Sequence, residues 1–384
     1  MSQPQTPARY AMVGGGEGAF IGAVHRAAAR PDDRCVLVAG ALSSDPERAR
    51  RSGELAGVSP ERSYSSWTDL IDRESARSAD DGAEFLAVVT PNHLHAPVAL
   101  AAMDAGLAVL SDKPLCLDLE EAKALVRKVE KTGALFGVTY NYSGYPMVRE
   151  ARARVRSGAL GPVRKVMVEY VQGWLAQRLE QDGQKQADWR TDPERAGAAG
   201  AMGDIGTHAA HLTEFVTGQS VKAVCADLAA VVEGRALDDD GAVFLRLDGG
   251  ARGLLAATQI AVGRENGLRL RVFCEHGSLE WFQEEPNTLL LDVEGEARRV
   301  LRTGGPETGE DAAAATRLPA GHPEGFLEAF ANLYTDFAEA VQARRTNPSA
   351  VATWTPTVYD GLLGMRFVDA LVRSDAQHQA WIDL

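Results

Sequence analysis

Val13-Gly14-Gly15-Gly16-Glu17-Gly18-Ala19-Phe20-Ile21-Gly22 joins an apolar run to an amphipathic one, and its reading decides the fold. Taken as G-x-G-x-x-A, it assigns Gly14 to a tight turn, Gly16 to close approach of a pyrophosphate to the backbone, and Ala19 to close packing of helix on strand. The N–H groups around Gly18 and Phe20, where the helix begins, have no partner inside the helix and suit an anion. A glycine cluster by itself is often a strained loop. Placed after the first strand of an alternating pattern, it reads as a dinucleotide site.

The alternation extends outward from that turn. Short apolar runs at 10–13, 35–39, 85–89, 107–110 and 135–138 are separated by stretches at 19–30, 46–56, 97–105 and 119–131 whose apolar residues recur at three and four. Strands joined by crossover helices form a doubly wound parallel sheet, so residues 1–139 are expected to be an α/β Rossmann domain. After Tyr140 the texture changes. A helical stretch at 147–156 precedes strand-like runs at 163–171, 221–232, 242–247, 253–260, 268–274, 278–282 and 288–291, with turns such as Asp248-Gly249-Gly250 between them. This pattern predicts an α+β domain over 140–384 with an antiparallel meander, a long loop at 301–319 and closing helices at 324–343 and 356–373.

Composition narrows the possible partners. The 384 residues carry 40 basic and 53 acidic side chains, a formal charge of −13, which repels phosphate backbones and anionic lipid alike. The opening MSQPQTPARY lacks the apolar core of a secretory leader, and no run reaches the roughly 18 apolar residues of a membrane span. A soluble, cytoplasmic protein with no nucleic-acid or membrane partner is expected. Cys35, Cys116, Cys225 and Cys274 are far apart and show no C-x-x-C spacing, which argues against a disulfide framework and a zinc site.

Ligands of open parallel sheets lie beyond the carboxyl ends of the strands. The second strand runs into Ser43, Ser44, Asp45 and Arg48. Asp45 stands where it either reaches a ribose or caps the Pro46 helix, while the serines suit a hydroxyl or a 2′-phosphate and Arg48 suits the latter. NAD and NADP therefore both remain open. Thr90-Pro91-Asn92 with His95, and Asp112-Lys113-Pro114, end two further strands and point the same way. Proline holds Lys113 extended, so its ammonium is presented from a rigid turn, although a surface lysine paired with Asp112 is the plainer alternative.

Asp204 and His208 stand four residues apart in Gly203-Asp204-Ile205-Gly206-Thr207-His208, on one face if this is a helix. A carboxylate one turn from an imidazole can orient it and support its charge as it accepts an alcohol proton. A helix cap and a core histidine would account for the same residues. His211, His93 and His95 add nitrogen donors, but no ligand set stands at convincing spacing, and no metal is expected.

Together these segments resemble the glucose–fructose oxidoreductase and inositol dehydrogenase (Gfo/Idh/MocA) family over nearly the whole chain: the glycine turn, Thr90-Pro91-Asn92 with His95, the lysine–proline turn and D-x-G-x-H occur in the family's order and spacing. The resemblance implies a second domain with a large open sheet that shapes the substrate site and makes oligomer contacts, and an active site in an interdomain cleft. Lys113, Asp204 and His208 are the catalytic set it implies, with Trp189 and Arg190 facing substrate. The usual glutamate of the lysine turn is Asp112 here, and no acidic residue closes the second strand. Beyond the family pattern, His322 at the end of the long loop and Asn141 after the last parallel strand are candidate substrate contacts, since loops on rigid scaffolds often carry binding residues.

The expected activity is reversible oxidation of a secondary alcohol on a sugar, cyclitol or related polyol. His208 would take the hydroxyl proton, Asp204 would orient it, and Lys113 would stabilise the developing oxyanion. A redox-neutral lyase or glycosidase acting through transient ring oxidation, and a non-enzymatic nucleotide sensor, are the alternatives. Strand edges that seek partners predict a homodimer or homotetramer.

Overall fold

Strands β1 (Ala8–Gly14), β2 (Cys35–Ala41), β3 (Phe85–Val89), β4 (Ala108–Ser111) and β5 (Phe136–Val138) form a parallel sheet in the order β2-β1-β3-β4-β5. The computed structural model describes residues 6–384; residues 1–5 of the N-terminal stretch lie outside the described residues. Strands covered on both faces carry apolar residues throughout, as Phe85-Leu86-Ala87-Val88-Val89 does with every side chain buried. The strand order reverses between β1 and β3, the switch point at which such sheets bind ligands. Helices Phe20–Ala28, Pro46–Ala56, His95–Asp104 and Leu119–Thr132 match the periodic stretches, while Trp67–Ser75 was not anticipated. Its core-facing signal is only Leu70 and Ile71, and a Ser66 cap fixes its start.

Two compact units result: residues 6–141 with Phe330–Leu362, and Tyr142–Ala329 with Leu363–Leu384. The helix Phe326–Arg344, expected to close the second domain, belongs from Phe330 onward to the first. Phe337 meets Phe85 edge-on at 5.4 Å, Tyr334 packs against Tyr10 at 6.0 Å, and Gln342 donates to the Arg34 carbonyl at 2.9 Å. Periodicity identifies an apolar helix face but not the sheet it covers.

The second unit holds β6 (Val163–Val171), β7 (Val221–Ala229), β8 (Asp240–Leu247), β9 (Arg252–Thr258), β10 (Gly267–Cys274), β11 (Gly277–Phe282), β12 (Thr288–Val293), β13 (Arg299–Arg302) and β14 (Ile382–Asp383). Their order is β13-β12-β11-β10-β6-β9-β8-β7-β14. The expected meander is therefore interrupted. β6 is inserted between β9 and β10, parallel to the first and antiparallel to the second. Alternation of apolar residues specifies a strand and its buried face, not its neighbour. One face, including Val166, Val168, Val243, Leu255 and Leu270, is part of a buried apolar core; on the other, Ala242, Phe244 and Arg246 of β8 are exposed. The predicted loop at 301–319 contains the end of β13 and a short helix, Glu310–Ala314. Among the described residues no helix is long and apolar enough to cross a membrane.

Candidate active site

In the first unit, β1 ends at Gly14 with φ +81°, where a Cβ would stand 2.4 Å from the Val89 carbonyl oxygen. Only glycine fits that turn. The Gly16 N–H donates to the Leu42 carbonyl at 3.1 Å. Ala19 is the N-cap of helix Phe20–Ala28, not its packing contact. That role falls to Gly22, whose added Cβ would lie 2.1 Å from the Gly15 carbonyl oxygen, so the helix rests directly on the turn. No side chain caps this helix and no carboxylate lies in its first turn. Its leading N–H groups lack a side-chain acceptor, Gly18 and Phe20 beside them are exposed, and the cradle fits a pyrophosphate.

Beyond β2, Asp45 accepts the Arg48 N–H at 2.7 Å and is the helix cap. Ser43 accepts the Asp45 N–H at 3.2 Å, and Ser44 and Arg48 are exposed. Beyond β3, Thr90 Oγ1 is buried with no hydrogen-bond partner among the described residues, and Pro91 and Asn92 lead into the next helix. His95 is buried, with Nδ1 2.8 Å from the Pro114 carbonyl and Nε2 2.8 Å from that of Thr90. Burial is the largest influence on its pKa and draws it down, against Asp112 and the two carbonyls. With both ring nitrogens directed at backbone, His95 staples the Thr90 turn to the lysine turn instead of offering an atom to a coenzyme.

The Lys113–Pro114 peptide is cis. Asp112 is buried beside it, accepting the Lys113 N–H at 2.8 Å and the Thr139 hydroxyl at 3.0 Å. Burial alone would raise the pKa of this carboxyl. The contact with His25 and the charges of Lys113 and His95 oppose burial and hold it well below the usual range. Asn141, just past β5, is buried with Nδ2 lacking a partner among the described residues.

In the second unit the D-x-G-x-H stretch is not one regular helix. A wide π-turn, Met202–Gly206, carries Asp204 and leads into helix Thr207–Thr217, which carries His208. Such turns break a helix's spacing and recur at functional sites. Asp238 anchors its start, accepting the Gly200 N–H at 2.6 Å and the Met202 N–H at 2.8 Å. Asp204 Oδ2 accepts from Arg190 Nε at 3.2 Å and Gln259 Nε2 at 2.9 Å. Arg190 lies over the Trp189 ring at 4.2 Å. His208 is buried and meets the Tyr142 ring edge-on at 4.8 Å.

From Asp204 the polar contacts continue through residues the sequence did not single out. Gln259 donates to Gln172 at 3.3 Å, and Gln172 accepts the Trp174 indole N–H at 3.0 Å. Asn266 accepts from Gln172 at 2.8 Å and from the Tyr170 hydroxyl at 2.6 Å, and donates to the Tyr142 hydroxyl at 3.2 Å. Tyr142 and Tyr170 are hydrogen-bonded to each other. Burial pushes Tyr142 up to about 12 and raises Tyr170 well above its ordinary value, so both phenols stay protonated. His322 is not drawn into this network: it is exposed, with Nδ1 3.1 Å from the Pro319 carbonyl. No sequence spacing marked Gln172 or Gln259. Because β6 and β9 are parallel neighbours, their carboxyl ends coincide, and the Gln172 N–H bonds to the Thr258 carbonyl at 2.8 Å.

Among the described residues no group of three or more His, Cys, Asp or Glu side chains is arranged to hold a metal ion. Residues 8–140 match the oxidoreductase family with an NAD-binding Rossmann fold, and residues 148–280 match the GFO/IDH/MocA C-terminal domain. An inositol dehydrogenase homologue from Azotobacter vinelandii, solved with NAD+, is 37% identical, with 99% of this chain and 98% of that chain covered at a TM-score of 0.94. An uncharacterized oxidoreductase of Bacillus subtilis, YfiI, is 33% identical over 98% of this chain and 97% of its own length. Levoglucosan dehydrogenase of Pseudarthrobacter phenanthrenivorans is 28% identical over 97% of each. The chain belongs to the GFO/IDH/MocA family and is an oxidoreductase with an NAD-binding Rossmann domain.

Proposed function

We propose that the protein is an NAD(P)-dependent dehydrogenase that interconverts a secondary alcohol and a ketone on an uncharged cyclitol or sugar. The observation that carries this reading is the rim around Asp204. Its amide, phenol and indole groups suit hydroxyls, and its guanidinium, that of Arg190, is already paired with the carboxylate. The Azotobacter homologue was also solved with NADH and myo-inositol, and the Pseudarthrobacter relative is named for levoglucosan, which supports a ring polyol. Trp189 would line the ring, and Asn141 would offer its unpaired amide to a hydroxyl.

When bound, the nicotinamide supplies a hydride acceptor. His208 takes the proton of the hydroxyl being oxidised. Asp204, fixed by Arg190 and Gln259, orients the imidazole and supports the imidazolium electrostatically. Lys113 donates a hydrogen bond to the same oxygen as negative charge develops on it. Gly14, Gly16, Gly18, Ala19 and Phe20 cradle the pyrophosphate, while Thr90, Pro91 and Asn92 flank the nicotinamide half. With Asp45 turned to the Arg48 N–H as a helix cap, Ser43, Ser44 and Arg48 are the groups that would accommodate either coenzyme.

A second copy of the chain would cover the open face of the nine-stranded sheet. In-register pairs place Phe244, Leu254 and Met167 at one end of a row and Leu290 and Val300 at the other, with Arg271 and Glu280 between them, and Phe244 is 57% and Val300 54% exposed. Such a row suits a homodimer or a homotetramer.

The test is to supply NAD+ and NADP+ separately with myo-inositol, levoglucosan, D-xylose and D-glucose and to follow the absorbance of reduced nicotinamide. Coenzyme reduction with at least one of these polyols is expected. Product formation without net reduced coenzyme would favour the redox-neutral alternative. No reaction with any of the four would remove the proposed substrate class.

A further inference from the structure

Behind the lysine turn lies a chain of buried polar groups that the proposed chemistry does not use. His25, fully buried on helix Phe20–Ala28, places Nε2 3.7 Å from Asp112 Oδ2. That is longer than a hydrogen bond, and Nε2 has no hydrogen-bond partner among the described residues. Its Nδ1 lies 2.8 Å from the hydroxyl of Tyr334, which is also buried, and the Phe330 ring meets the imidazole edge-on at 4.8 Å. Burial raises the Tyr334 phenol well above its ordinary value, so its hydroxyl keeps its proton to donate. A carboxylate only accepts, so an N–H on Nε2 suits Asp112, and in that tautomer Nδ1 receives the Tyr334 O–H.

The chain therefore runs from Tyr334 to His25 to Asp112, and Asp112 Oδ1 in turn holds the N–H of Lys113 and the hydroxyl of Thr139. Burying three polar side chains is unfavourable unless they satisfy one another. These three come from the helix that follows the glycine turn, from the end of β4 and from the helix Phe326–Arg344. They meet at the residue preceding the lysine. With Oδ1 held by those two donors, the imidazole 3.7 Å from Oδ2 restrains the remaining freedom of the carboxylate.

We propose that His25 is a positioning residue which, through Asp112, fixes the orientation from which Lys113 is presented. This rests on the reading that Lys113 acts on the reacting hydroxyl, and two readouts separate the claims. The first is the acetylation rate of Lys113 in the NADH-loaded protein, followed by mass spectrometry, which needs no substrate. The second is turnover of whichever tested polyol is oxidised.

In His25→Leu, Lys113 acetylation should change at least threefold while other lysines do not, and turnover should fall about tenfold with NADH affinity within threefold of wild type. His25→Gln, which restores an N–H toward Asp112, should recover most of both. In the background of Asp112→Asn, His25→Leu should add little, because its path is already cut. Wild-type acetylation and turnover in His25→Leu would overturn the proposal. Wild-type turnover in Lys113→Met would instead overturn the role of the lysine, leaving the acetylation result to decide that of His25. If His25→Leu does not fold, Tyr334→Phe replaces it: both readouts should move at least twofold in the same directions, and unchanged values there overturn the proposal.

Discussion

In the five-stranded sheet every strand runs the same way, so all carboxyl ends lie along one edge, and the glycine, Thr90 and lysine turns fall there together. In the nine-stranded sheet antiparallel pairing sends strand ends to both edges. Among the described residues, β6 with β9 is its one parallel pair, and Gln172 and Gln259 meet just past its end, bonded onward to Asp204. Both units thus build polar sites where parallel strands finish. The first does so along a whole edge and the second at a single seam. A parallel edge gathers turns that are distant in sequence without requiring any of them to be long.

The sharpest way to break the comparison is to damage one site and look for an effect on the other. His208→Asn in the second unit should lower turnover by about 10²-fold or more, while NADH titration shows coenzyme affinity unchanged. Turnover at the wild-type level would remove His208 as the base. The converse lesion is Gly22→Ala. With its Cβ 2.1 Å from the Gly15 carbonyl oxygen, the helix must move off the glycine turn. A loss of about 1 to 3 kcal/mol in stability is expected, read by denaturant titration, together with weaker NADH binding. Full stability in that variant would mean the helix does not rest on Gly22. The smallest effect belongs to the seam. Gln259→Leu removes one donor to the Asp204 carboxylate and should lower kcat/KM about tenfold with NADH affinity intact; unchanged kcat/KM would make the seam a structural feature alone.

Much of this was legible before the structure. The alternation of apolar runs and periodic stretches placed all five strands of the parallel sheet within two residues, because doubly covered strands must be continuously apolar. Lys113 and the glycine turn stood out because proline restricts the backbone and glycine, lacking a Cβ, opens conformations closed to other residues. Asp45 could be read as ribose contact or as cap, and the 2.7 Å bond to the Arg48 N–H made it a cap. His95 carried a polar ring in a promising turn, but the sequence held no sign that two carbonyls would take both its nitrogens. Nothing in the spacing of Gln172, Gln259 and Asn266 suggested that they meet, since β6 is separated from β9 by two intervening strands in the chain.

Local composition alone determined the class of each half and the glycine turn after the first strand, because hydrophobic periodicity and the conformational range of glycine and proline are properties of neighbouring residues. Tertiary structure decided what each element packs against: Gly22 rather than Ala19 beneath the helix, Phe330 onward in the first unit, β6 between β9 and β10, and His25 behind Asp112. Those choices depend on which buried surfaces and polar groups satisfy one another across long stretches of chain, and pairing of that kind leaves no periodic mark in the sequence.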